Sequence, residues 1–403
     1  MTSDVCGRQE VMTAAEPMEL YIHIPFCVRK CLYCDFLSFP ADRALQERYL
    51  EALTEEIRAF AAANYGRYII RSVFFGGGTP SLLPSGQIGV IMEEIRRGFA
   101  PLSGETAFST AFPEAEVTLE ANPGTVTDEK LRSYRDSGIN RLSLGCQSMA
   151  DTELKTLGRI HSAEQFEESF ALARAAGFSN ISVDLMSGLP GQTEESWEYS
   201  LRTVAAMRPE HISAYSLILE EGTPFYDLYG AGRTSGGQAI PDEDTGRRMY
   251  EMTEDILHEY GYVHYEISNY ALPGYQSRHN SGYWTGVDYA GFGLGASSLL
   301  DGRRMKNPEE LREYLCDPAG SRHTEEILTA EDRMAEYMIL GLRMMHGVSE
   351  EEFFLRFGMP LERKYGEVIR RHTGNGLLIR TGGRVRLTRE GIPLCNVVMR
   401  DFL

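Results

Sequence analysis

The chain has 403 residues, 42% of them hydrophobic and 24% charged, and a formal net charge of −18. That is the composition of an ordinary globular protein, long enough for two or three domains with a sizeable core. The charge argues against nucleic acid as a partner, because neutralising phosphates takes a basic surface. No run of 18 apolar residues offers a transmembrane helix.

Residues 1–17 are polar and rich in small side chains, lack the charged-then-apolar pattern of a signal peptide, and read as a disordered extension. With no export signal and no disulfide framework among the seven cysteines, a reducing cytoplasm is the expected location. From Tyr21 to about Tyr215, short apolar runs alternate with amphipathic stretches. Strands are predicted over 20–24, 71–75, 116–120, 141–144, 181–186 and 211–215, and helices over 43–63, 86–99, 128–137, 163–176 and 194–207. Such alternation implies βαβ units and a parallel sheet. Six units make an α/β fold with an open or partial barrel rather than a closed eight-fold one, and ligands in such folds bind at the carboxyl ends of the strands. Residues 103–113 read as a surface-loop insertion, and the glycine-rich stretch 228–240 as a mobile loop. The core is therefore assigned to 18–240, a linking region to 241–324 and a C-terminal domain to 325–403. Within the C-terminal domain a pair of helices precedes a hairpin over Thr381-Gly382-Gly383, giving a smaller α+β, winged-helix-like module.

The chemistry-bearing residues fall at the predicted strand ends. Cys27, Cys31 and Cys34 follow the first strand at C-x3-C-x2-C spacing, a triplet that chance would place about 0.002 times in a chain of this composition. A fully ligated four-iron, four-sulfide cluster takes four cysteines; three leave one iron open to a small molecule. A zinc site is the alternative, but it wants a fourth Cys or His, and His23 reads as a buried strand histidine. Gly76-Gly77-Gly78-Thr79-Pro80 follows the second strand, where glycines let the backbone approach a ligand. Glu120, Gln147 and Asp184 end later strands; carboxylates there suit ribose hydroxyls. Arg159 suits a ligand carboxylate. Together these make a site for a nucleoside joined to an amino acid. The stretch Arg278-His279-Asn280-Ser281-Gly282-Tyr283-Trp284 reads either as an ordered loop packed on the core or as a haem contact, with a histidine beside aromatics.

The cysteine triplet with Tyr33, the Gly-Gly-Gly-Thr-Pro turn, Glu120-Ala121-Asn122-Pro123, Gln147-Ser148, Asp184 with Gly188-Leu189-Pro190-Gly191-Gln192-Thr193, and Tyr265-Glu266-Ile267-Ser268-Asn269 resemble the radical S-adenosylmethionine (SAM) enzymes. Within these, the chain is similar from Met18 onward to the oxygen-independent coproporphyrinogen oxidase group. Phe36 stands where the dehydrogenases of that group carry a further cysteine, and His-Asn-x-x-Tyr-Trp over 279–284 is similar to its haem-chaperone branch. Gly293-Leu294-Gly295-Ala296 departs from the group's usual Gly-Pro-Gly-Ala. The resemblance implies a partial (β/α)6 radical SAM barrel with a 4Fe-4S cluster on Cys27, Cys31 and Cys34. It implies SAM against Tyr21, Gly77, Gly78, Thr79, Glu120, Gln147, Arg159 and Asp184, and haem against His279, Asn280, Tyr283 and Trp284. It also implies acceptor haemoproteins such as membrane respiratory enzymes and an electron donor such as flavodoxin or ferredoxin, and it leaves room for a homodimer and for peripheral membrane contact. Oxidative decarboxylation of coproporphyrinogen III and methylation of haem are the alternative activities.

Overall fold

The computed structural model describes residues 15–99 and 114–403. The predicted insertion at 103–113 and most of the predicted N-terminal extension lie outside them. Glu16 and Pro17 are an exception to the extension: they open the first strand, because their backbones pair with Tyr68 and Ile69 of the second.

Six strands, β1 (Glu16–Ile24), β2 (Tyr68–Gly77), β3 (Glu116–Ala121), β4 (Arg141–Gln147), β5 (Ile181–Ser187) and β6 (His211–Ser216), lie parallel in sequence order. Helices Arg43–Ala63, Ser85–Phe99, Asp128–Asp136, Ala163–Ala175 and Glu194–Ala206 cross between them. Strands of a parallel sheet covered by helices are buried on both faces, and all seven residues of β4 are buried, Arg141, Ser143 and Gln147 among them. The helix starts are set by side-chain caps. Ser162 with Gln165, and Thr193 with Ser196, form reciprocal capping boxes.

The predicted linking region does not hang between domains. Its strands β7 (Val263–Glu266), β8 (Asn269–Ala271), β9 (Asp288–Phe292), β10 (Ser297–Leu300), β11 (Arg303–Lys306) and β12 (His323–Ile327) extend both edges of the same sheet. β9 pairs parallel with β1, and β8 antiparallel with β6. The predicted mobile loop begins inside a helix, Pro224–Tyr229, and its far end is held where the Gly191 amide donates to the Ala239 carbonyl at 2.9 Å.

The C-terminal domain has helices Ala330–Gly341, Glu350–Phe357, Leu361–Gly374 and Cys395–Arg400 around a small sheet of β13 (Val348–Ser349), β14 (Leu378–Thr381) and β15 (Arg384–Leu387). Gly382 and Gly383 both have positive φ, +59° and +74°, which a two-residue hairpin turn with the right twist demands. This domain has its own core of Met338, Phe353, Ile369, Val385 and Val398. It is tied to the barrel by Arg343, which meets the buried Glu266 at 3.0 Å, and by the Ile267 amide donating to the Arg343 carbonyl at 3.1 Å. Among the described residues no helix is long and apolar enough to cross a membrane.

Candidate functional site

The loop after β1 is a closed structure. Phe26 and Phe39 bridge its base, the Cys27 amide donates to the Phe39 carbonyl at 3.1 Å, and the Leu32 amide to Leu157 at 3.1 Å. It presents Cys27, Cys31 and Cys34 as free thiols. Register brings the next loop against it: Ile24 pairs with Gly77. The Gly78 amide donates to the Ile24 carbonyl at 2.9 Å, and the Thr79 amide to the Phe26 carbonyl at 2.8 Å. Gly77 adopts φ +105°, and a Cβ on Gly78 would sit 2.7 Å from the Phe26 carbonyl oxygen. Only glycines allow this approach.

Cys27, Cys31, Cys34, Gly77, Gly78, Thr79, Glu120, Gln147, Arg159 and Asp184 line one cavity of about 350 Å³ at the carboxyl ends of the strands. Tyr21 lines an adjoining chamber of about 200 Å³ deeper in the barrel, which shares Gly77, Glu120 and Asp184. The sequence-predicted SAM residues thus converge on two connected spaces. Gln147 has φ +70°, a strained backbone for a residue with a side chain. Its Oε1 is buried with no hydrogen-bond partner. Arg159 donates to the Asn122 side-chain oxygen at 2.7 Å and to the Gly145 carbonyl at 2.6 Å, and its Nη1 lies 3.8 Å from the Cys31 sulfur. Burial pushes Glu120 up to about 8, helped by Asp184 and opposed by the Gly77 amide. Burial likewise raises Asp184 to about 6, against Arg141, Ser213 and Ser143. Carboxyls held near neutrality in a cavity are suited to accepting ligand hydroxyl hydrogens once ionised.

The donor set fits the implied group. Gln147, whose side-chain oxygen has no partner, the glycine cradle and three cysteines outside any disulfide all line the same cavity. His23 stays out of it: its Nδ1 meets the Tyr21 hydroxyl at 3.0 Å and its Nε2 the Leu37 carbonyl at 2.9 Å. Among the described residues no three His, Cys, Asp or Glu side chains converge on a point that would hold one ion. A cluster spreads its thiolate ligands over separate irons.

Three contributors escape a reading of the sequence. Asn122 links Thr79, through a 2.8 Å bond, to Arg159; it lies two residues beyond Glu120 in Glu-Ala-Asn-Pro, so position could have flagged it. Arg141 is 2% exposed inside the barrel, and a charge opening a predicted strand is its signal. Tyr215 lines both spaces and carries no local signature.

The segment predicted as a haem-contacting loop is a helix, Arg278–Thr285. Ser277 caps it, and the Glu116 carboxylate accepts the Arg278 and His279 amides at 3.1 and 3.2 Å. It does not gather His279, Asn280, Tyr283 and Trp284 on one surface. His279 is 1% exposed; its Nδ1 meets the Ser72 hydroxyl at 2.8 Å, its Nε2 the Tyr283 hydroxyl at 2.9 Å, and its ring stacks on Phe74. Burial lowers it to about 3. Asn280 faces the inner barrel chamber. Tyr283 and Trp284 instead line a separate outer cleft of about 630 Å³, against the helices Ala330–Gly341 and Glu350–Phe357.

The radical SAM superfamily matches residues 21–204, and the HemN C-terminal domain residues 328–394. A "Heme chaperone HemW" of Lactococcus lactis is 37% identical over 96% of this chain and 98% of its own. That of Bacillus subtilis is 37% identical over 95% and 98%, and that of Escherichia coli 34% identical over 97% and 100%. Among solved structures, the E. coli coproporphyrinogen III oxidase HemN superposes with a TM-score of 0.81 at 22% identity, over 97% of this chain and 91% of that one, a likeness of fold. Membership of the radical SAM superfamily implies a 4Fe-4S cluster and SAM. With the cysteine loop, the glycine cradle and the barrel cavity in place, and with relatives aligned from end to end, the chain belongs to the HemW family of radical SAM proteins.

Proposed function

We propose that the protein is a haem chaperone built on a cofactor-loaded radical SAM scaffold. Cys27, Cys31 and Cys34 would hold the cluster. Gly77, Gly78, Thr79 and Arg159 would hold the amino-acid end of SAM, and Glu120, Gln147 and Asp184 its nucleoside end, with Tyr21 behind. When bound, these groups supply one-electron chemistry; the chain's own residues position them and shield them from water.

The observation that carries the reading is the size of the inner chamber. Beyond the cavity lined by the cysteines and glycines lies a chamber of about 200 Å³, walled by Tyr21, Phe74, Glu120, Asp184 and Tyr215. Sites for drug-sized ligands run from roughly 300 to 1,000 Å³. A porphyrinogen with four carboxylates meets too little space there, and two carboxyls against the single guanidinium of Arg141. The names of the end-to-end relatives support the same reading. We place the chaperone in the cytoplasm, transferring haem to acceptor haemoproteins such as membrane respiratory enzymes and drawing electrons from a flavodoxin- or ferredoxin-type donor.

Reconstituted protein with SAM and a reductant should leave coproporphyrinogen III unchanged, while haem titrated into the same preparation should give a saturable Soret shift. Decarboxylated product would overturn the proposal in favour of the oxidase activity.

A further inference from the structure

The geometry points to the outer cleft, not the barrel, as the place where haem sits, with Tyr289 as its iron ligand and Arg333 and Arg356 as its propionate anchors. This rests on the haem-binding reading above.

Haem is a flat apolar macrocycle with two carboxylates on one edge and a metal that takes an axial ligand. The cleft matches each of these features. Its volume of about 630 Å³ lies within the range of sites that bury small ligands. Tyr283, Trp284, Leu299, Tyr337, Leu340 and Phe357 supply aromatic and aliphatic walls, drawn from both the barrel edge and the C-terminal domain. The Trp284 indole nitrogen is buried with no acceptor, and the Arg343 guanidinium lies 4.3 Å from its ring.

Three guanidiniums border the cleft. Arg304 is already paired with Glu326 and Glu336. Arg356 is exposed; it donates only to the Thr285 carbonyl, at 3.0 Å, and lies 5.3 Å from the Tyr337 ring, leaving most of its donors open. Arg333 is exposed and has no side-chain partner among the described residues. Of the three acidic groups that share the cleft, two are paired with arginines, which leaves Asp288 alone against the two open guanidiniums. Asp288 accepts the Asp301 amide at 2.9 Å, Asp301 pairs with Arg67, and Glu336 with Arg304. The net open charge is therefore positive, and the planar fork of arginine suits a carboxylate.

Imidazole ligation by His279 is unavailable, since both ring nitrogens are engaged within the core. The Tyr283 hydroxyl is held by that imidazole and the Tyr337 hydroxyl by the Ser349 carbonyl at 2.9 Å. Tyr289 packs edge-on to Tyr283, with ring centroids 4.7 Å apart, and its hydroxyl has no partner among the described residues. A phenolate is an established ligand type for haem iron. On binding ferric haem the phenol gives its proton to solvent and its oxygen bonds to iron, with no change of oxidation state.

The test uses full-length, cluster-reconstituted protein titrated with ferric haem, with cluster absorption and SAM binding as measures of intact folding. Wild type should bind one haem per chain. The double variant Arg333→Gln, Arg356→Gln should weaken binding at least about tenfold. Leu340→Trp, which fills the cleft, should abolish saturable binding. Tyr289→Phe should move the Soret and charge-transfer bands, whereas His279→Gln should leave them in place. If wild type binds no haem, the chaperone reading itself falls. If wild type binds but the arginine pair and Leu340→Trp bind equally well, or if SAM competes haem off, the cleft assignment is overturned and the chaperone reading survives.

Discussion

The barrel cavity and the outer cleft lie on opposite sides of one eight-residue helix, Arg278–Thr285, yet they are made of different material. The barrel cavity has glycines at close approach, a strained Gln147 and two carboxyls shifted towards neutrality. The cleft has half-exposed aromatic walls and arginines at its rim. A site that must hold reactive groups in fixed geometry accepts strain and buried charge. A site that must take up and release a ligand needs area and a few charged contacts. If the comparison is right, damage to one side should leave the other working.

The largest expected effect is on the barrel side. Replacing Cys31 with alanine should drop the iron content from about four per chain to near zero, and with it SAM binding, while the haem titration persists. Loss of haem binding together with iron would show that the two regions are one site.

Next in size is Arg159→Met. It leaves the Asn122 side-chain oxygen and the Gly145 carbonyl without their donor. Unpaired groups of this kind cost about 1–3 kcal/mol each, so the urea midpoint should fall and SAM affinity should drop about tenfold or more. Haem affinity should hold within about twofold.

A smaller, pH-dependent effect separates the regions by charge. Glu120 and Asp184 have folded pKa values raised above the ordinary carboxyl range, to about 8 and about 6. A raised acid pKa means the folded state holds its proton more tightly than the unfolded one. Ligand-free protein is therefore fully relieved of the penalty at low pH and loses stability as pH climbs from the carboxyl range through 6 towards 8. Because the Glu120 carboxyl faces a solvent-connected cavity, roughly 2 kcal/mol is the expected scale. Glu120→Gln should flatten that slope in denaturation midpoints taken from pH 5 to 9. SAM affinity in wild type should rise over the same window, as the ionised carboxylates accept ribose hydroxyls. A flat wild-type profile would place both carboxyls in ordinary surroundings.

How much of this is legible in the sequence follows the same division. The six barrel strands are readable because short, largely apolar stretches alternate with amphipathic helical ones, and the cavity residues because they sit at the ends of those stretches. β9, Asp-Tyr-Ala-Gly-Phe, escapes because its glycine and aspartate break the pattern; its pairing with β1 is a tertiary fact. The helix Arg278–Thr285 reads as a loop because Asn280, Ser281 and Gly282 are poor helix formers. Its start is fixed by a residue far away in the chain, Glu116, which accepts its first amides, a contact that local propensity cannot express. Of the cleft, the sequence points only to Tyr283 and Trp284; the rest of its walls come together from the barrel edge and the C-terminal helices.

The smallest effect tests that helix as a partition. His279 stacks on Phe74, which walls the inner chamber, and its Nε2 meets the hydroxyl of Tyr283, which walls the cleft. This run of side chains touches both spaces. Tyr283→Phe removes a single hydrogen bond and leaves the buried His279 Nε2 without a partner, at a cost of about 1–3 kcal/mol of stability. Its phenyl ring keeps the edge-on contact with Tyr289, so haem affinity should fall only about twofold to threefold. SAM affinity should not change, because the imidazole stays clamped by Ser72 and Phe74. Coupling between distant sites requires an element with two arrangements, and His279, packed on every side, has one. Titrating haem with and without saturating SAM in wild type and in Tyr283→Phe closes the cycle. Haem affinities that ignore SAM in both proteins fit a rigid wall. A SAM effect present in wild type and erased by Tyr283→Phe would make this hydrogen bond the link through which the barrel governs the cleft.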